Sequence, residues 1–109
     1  MEIRLEDVEP MVEIAIRTRF SLYVFRVTEP KEGRGLLSGG QLGAKPREAF
    51  LANTFLPANR WISKTDQLET GYRAMFYLDG TGPIVLTTSV ITELGFGVTE
   101  LPDTPPGGC

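Results

Sequence analysis

Histidine is absent from this 109-residue chain, and cysteine occurs once, at Cys109. Without histidine there is no Ser-His-Asp or Cys-His nucleophilic arrangement and no histidine general base. With a single cysteine there is no intramolecular disulfide, and the common zinc-ligand sets are missing. Neither catalysis nor a metal or other cofactor is therefore expected. No apolar run approaches the roughly 18 residues that a membrane-spanning helix requires. The opening residues MEIRLEDVEP are acidic and lack the basic and apolar regions of a secretory signal, so cytoplasmic residence with no membrane contact is the expectation.

A positive charge balance is also lacking. The net charge of -3 argues against a nucleic-acid partner held by overall electrostatics. The charges are nevertheless segregated. Residues 1–16 hold one basic and five acidic residues, residues 17–60 eight basic and three acidic, and residues 61–109 two basic and six acidic. Pairing of acidic ends with a basic middle across strands is one outcome of this pattern, and a local anion site is the other.

Hydrophobic alternation is what the chain does have. Val12, Ile14, Ile16, Phe20, Leu22 and Val24 recur at every second residue, broken by Thr18, which predicts one long strand or a bent pair over Val12 to Thr28. Tyr23, Phe25 and Val27 make the second half apolar on its other face as well. A brief edge strand fits Glu2 to Leu5, and EPKEGRG reads as a loop. Leu36 to Leu42 reads as a strand broken at Gly39-Gly40. KPREAFLANTFL could open a helix at Pro46, but its alternation and its β-rich surroundings favour a strand.

Gly71 to Leu78 is a clear strand, with Tyr72, Ala74, Phe76 and Leu78 on one face and Arg73, Met75 and Tyr77 on the other. Asp79-Gly80 is a hairpin signal, which makes Ile84 to Leu94 the returning antiparallel strand. Val98 to Leu101 fits a short edge strand. PDTPPGGC reads as a flexible tail, giving one β-rich domain over 1–101 and a tail over 102–109. The sum is a small single-domain all-β fold, an antiparallel β-barrel or β-sandwich of five to seven short strands with at most one short helix.

Two surfaces are candidates for function. Arg17 and Arg19 share a strand face, and Arg73 projects from the later strand; if these strands meet, the guanidinium groups converge with the hydroxyls of Thr87 and Ser89 on a small anionic ligand. The competing arrangement pairs these arginines with Glu13, Glu69 and Glu93. The second surface is apolar: Tyr23, Phe25, Trp61, Met75 and Tyr77 exceed what one core needs and suggest an interface. The carboxylate pairs Asp66/Glu69 and Asp79/Glu93 each flank a turn signal, which favours solvation over hydrolysis. The glycines of GRGLLSGGQLG place Ser38 where a dinucleotide fingerprint needs its last glycine, and no Gly-Lys-Ser/Thr follows.

Two short motifs invite comparison with known families. Gly107-Gly108 resembles the tail of ubiquitin-like sulfur carriers and modifiers, although Cys109 follows it and only Pro46 to Asn53 could supply a β-grasp helix. The PilZ signature needs R-x-x-x-R and D/N-x-S-x-x-G; the chain has Arg17-Thr18-Arg19 and Leu36 two places before Ser38, so no membership follows. The expected function is a non-enzymatic binding or assembly module that acts through a sheet edge or aromatic patch, with a homodimer or another protein as partner. Binding of a small anion or nucleotide at the arginine-lined face is the alternative.

Overall fold

The computed structural model describes residues 1–78 and 84–97. The Asp79-Gly80 turn, the edge strand from Val98 and the tail over 102–109 lie outside the described residues. The described residues form ten strands: β1 (Glu2–Arg4), β2 (Glu13–Thr18), β3 (Leu22–Glu29), β4 (Arg34–Gly39), β5 (Arg47–Leu56), β6 (Asn59–Lys64), β7 (Gln67–Glu69), β8 (Arg73–Leu78), β9 (Ile84–Thr87) and β10 (Ile91–Phe96). Single 3-10 turns at Leu5–Asp7, Pro30–Glu32 and Gly40–Leu42 are the only helical segments among the described residues. The fold is all-β, and the Pro46 segment is strand β5. The strand count exceeds seven because short strands form at β1 and β7 and because the longest apolar runs are divided.

The main sheet is antiparallel in the order β10-β2-β3-β4-β5-β8-β9, with β6 paired to β5, and β1 and β7 form a separate two-stranded sheet. The ladder is open rather than a closed barrel. Its two end strands, β9 and β10, follow each other in the chain, so the expected single return strand is split between two neighbours, β8 and β2. The split occurs at residues 88–90. There Thr88 bonds back to β8: its N–H donates to the Ala74 carbonyl at 2.9 Å, and its hydroxyl accepts from the Ala74 N–H at 3.1 Å and donates to the Ser89 carbonyl at 2.7 Å. These bonds satisfy polar groups at a buried position, where leaving them unpaired would cost stability.

The first alternating run does not keep its face. Thr18 closes a hairpin around Arg19 and Phe20: its N–H donates to the Ser21 carbonyl at 2.8 Å, and its hydroxyl accepts from the N–H groups of Phe20 and Ser21 at 3.2 and 3.0 Å. Register then pairs Ile14 with Phe25 and Ile16 with Tyr23. All four point inward, while Phe20, at 77% exposure, stands at the hairpin tip and Leu22 and Val24 turn to the outer face. The turn reverses the parity, and a periodicity count that runs through it assigns the second half to the wrong side.

The sheet coils until residues of non-adjacent strands touch. Phe25 on β3 and Phe76 on β8 meet edge to face with centroids 5.1 Å apart, at the centre of a core that includes Ile14, Ile16, Tyr23, Leu37 and Ala74. The β1–β7 pair and the turn after β1 add Ile3, Leu68 and Leu5 to that core, tied by the Leu5 N–H on the Asp66 carbonyl at 2.9 Å. Close strand contact explains Gly35: a Cβ there would collide with the backbone carbonyl of Arg26 on β3.

Candidate functional site: an arginine and tryptophan projection on strand β6

Two irregularities in strand pairing build this site. The first is in β5, where Leu51 pairs with Phe76 but Asn53 pairs with Met75, so Ala52 is an extra residue. A bulge of this kind changes which side the following residues face. Thr54 then points inward opposite Ala74, and Phe55 points outward opposite Arg73. The same bulge leaves the Asn53 Oδ1 buried without a donor among the described residues.

The second irregularity is larger. Leu56 pairs with Asn59 and Phe55 with Ser63, so Arg60, Trp61 and Ile62 have no partner on β5. They form an outward bulge. The Asn59 side chain holds it by accepting the Trp61 N–H at 3.0 Å. Trp61 is 95% exposed as a result, and Ile62 beside it is also exposed. A strand that presents a tryptophan in this way is unusual, because an aromatic side chain offers about 150–250 Å² of surface that is favourably buried.

Three cations lie on β6 and, across β5, on β8. The Arg60 guanidinium lies 5.3 Å from the Phe55 ring centroid and that of Arg73 lies 5.9 Å from it. Arg73 is anchored by its Nε on the Thr88 carbonyl at 2.9 Å. Lys64 ends the strand, with its ammonium 2.7 Å from Glu69 and 5.2 Å from the Tyr72 ring centroid. The hydrogen bond to Glu69 raises the Lys64 pKa above the ordinary 10.5, against an opposing effect of desolvation.

The structure distributes the residues of the expected arginine face. Arg17 sits 3.3 Å from Glu93 across β2 and β10, and Arg19 lies over Phe20 at 5.7 Å. Arg17, Arg19 and Arg73 share no partner among the described residues. Thr87 pairs with Met75 on β8, Ser89 lies in the link between β9 and β10, and the polar contacts to β8 there come from buried Thr88. Of the alternative ion pairs, Arg17–Glu93 forms, whereas Glu13 binds Arg26 at 2.7 Å and Glu69 binds Lys64.

The apolar set also divides. Tyr23 and Phe25 are 2% and 0% exposed and belong to the core, so neither can contribute to an interface. The cause is the parity reversal at the Arg19 hairpin. Trp61, Tyr77 and, partly, Met75 do reach the surface. Tyr77 is flanked in register by Phe50, with ring centroids 5.2 Å apart, and by Val85. This makes a second, flatter patch across β5, β8 and β9.

Nothing in the sequence pattern singles out Arg60 or Phe55. The Pro57-to-Asn59 turn followed at once by Arg-Trp is the one signal, because pairing slips are not encoded in composition. Among the described residues, no cluster of three or more His, Cys, Asp or Glu side chains could hold a metal ion, and no helix is long and apolar enough to cross a membrane. No family model, curated protein or solved structure matches the chain.

Proposed function

We propose that the chain is a non-enzymatic, cytoplasmic protein-binding module whose contact surface is the β6 projection. The observation that carries this reading is Trp61, 95% exposed on a bulge braced by Asn59. Tryptophan and arginine dominate the energetics of many protein interfaces, and here they are adjacent on an edge strand. Burial of most of the indole at about 25 cal/mol per Å² would supply several kcal/mol of association energy, roughly 4–5 at most.

Trp61 is the only tryptophan, so fluorescence reports this site alone. The isolated chain should emit as solvent-exposed indole and be quenched freely by iodide. A preparation isolated gently from its own source, with partner attached, should show blue-shifted emission and reduced quenching. Identical quenching of a partner-bound preparation and the isolated chain would sink the proposal.

A second reading concerns assembly. Tyr77 and Val85 are opposed on β8 and β9 and are 39% and 49% exposed, which suits a homodimer across the outer sheet face. Sedimentation velocity over a concentration series tests it, with Tyr77→Glu expected to abolish any dimer. A dimer that persists in this variant would rule out that face.

A further inference from the structure

Phe55 points away from the core yet is only 6% exposed, and two guanidinium groups cover it. Arg4, Arg17, Arg26 and Arg34 each reach a carboxylate, whereas Arg19, Arg47, Arg60 and Arg73 have none within ion-pair distance among the described residues; of these four, only Arg60 and Arg73 lie over the same ring. Arg73 uses its Nε on Thr88, leaving its terminal amino groups without partners among the described residues, and Arg60 makes no hydrogen bond to them. Two like charges on one ring repel each other. Without a counter-charge from the described fold, the arrangement favours an anionic group from outside, and the planar fork of arginine suits a carboxylate.

We propose that Arg60, which precedes Trp61 in the chain, and Arg73, both over the Phe55 ring, form a receptor for the carboxylate side chains of an acidic, extended segment in the partner protein. This inference rests on the Trp61 reading and adds the partner's charge to it. A second copy docking symmetrically through β6 would bring both arginine pairs to one interface, which adds repulsion. A nucleic-acid strand carries a charge at every nucleotide. It would meet Glu69 on Lys64 and Glu2 on Gln67 just beyond the projection, whereas a short acidic run need not extend that far.

The test uses the full chain and fluorescein-labelled hexaglutamate followed by anisotropy, with hexalysine and hexathymidylate as comparison probes. Saturable binding of hexaglutamate at low ionic strength, weakening as salt rises, is expected. Arg60→Gln and Arg73→Gln should each weaken it about tenfold or more. The Arg60 side chain is exposed and makes no hydrogen bond or ion pair among the described residues, so its variant keeps the test valid if loss of the Arg73 anchor loosens β8. Trp61→Ala removes the indole and should release the physiological partner. If all three variants keep the physiological partner, the Trp61 reading fails, while the hexaglutamate result stands independently. Absence of saturable hexaglutamate binding, affinity unchanged in Arg60→Gln, or tighter binding of hexathymidylate overturns the carboxylate receptor.

Discussion

Replacing Phe55 by alanine separates an aromatic held by guanidinium groups from one held by a core. Phe76 is the natural comparison: it is fully buried in the core and packs edge to face on Phe25. Its truncation should follow the usual pattern for core phenylalanines, about 3–5 kcal/mol, because the transfer loss is joined by a cavity that cannot collapse. Phe55 is nearly as buried, so its transfer loss is similar, roughly 1.5–3 kcal/mol. Its cover differs. Arg60 and Arg73 are long, flexible side chains that can settle into the vacated space, so little cavity remains, and each cation–ring attraction that disappears is worth about 0.5–1 kcal/mol. Phe55→Ala should therefore cost about 2.5–5 kcal/mol, of which about 1–2 comes from the two cation–ring contacts, whereas the Phe76→Ala loss comes from transfer and cavity alone. Urea unfolding monitored by circular dichroism measures both, with unchanged m-values expected for each. In an Arg60→Gln background, where one cation–ring contact is already gone, the Phe55→Ala cost should fall while that of Phe76→Ala stays the same; a Phe55→Ala cost unchanged by that background would refute the guanidinium cover of Phe55.

Three further perturbations probe the frame around the site. Gly35→Ala places a Cβ against the Arg26 backbone carbonyl, which cannot move without parting β3 from β4; a loss of about 3 kcal/mol or more should appear in the same unfolding assay, and a neutral result would contradict the register. Thr88→Val strands the Ala74 N–H and the Ser89 carbonyl at the β9–β10 link, so a loss of about 1–3 kcal/mol is expected, accompanied by faster amide exchange at Ala74. The Lys64 ammonium should titrate above 10.5 by NMR and return toward that value in Glu69→Gln. Because its folded pKa is raised, the stabilisation from this pair is present below 10.5 and is lost as pH rises through the folded value. An unshifted Lys64 would contradict the ion pair with Glu69.

The sequence reveals most about strands whose alternation is uninterrupted. The strand expected over Gly71 to Leu78 forms over Arg73–Leu78, with Ala74, Phe76 and Leu78 inward and Arg73, Met75 and Tyr77 outward as expected, whereas Gly71 and Tyr72 lie in the turn before it. Hidden from it are the places where one residue more or fewer changes sides. The hairpin at Arg19 reverses the parity of the second half of the first apolar run and moves Tyr23 and Phe25 from expected interface to core. The Ala52 bulge turns Phe55 outward, and the slip across Arg60 to Ile62 lifts Trp61 off the sheet. Such slips depend on how two strands meet, which neither strand's composition records. Trp61 is legible as a candidate anchor. The arginines near it, Arg60 and Arg73, are legible only as isolated charges, because the ring they share belongs to a different strand.

The central claim is that the β6 projection is the surface this module offers to another protein. Site-specific incorporation of a photo-crosslinking amino acid at position 61, with Lys31 as an exposed control position, tests this in cells of the protein's own source. The account predicts a discrete covalent adduct with another protein from position 61 and none from position 31. Equal labelling from both positions, or no adduct from position 61 where the chain is demonstrably partner-bound, would contradict it.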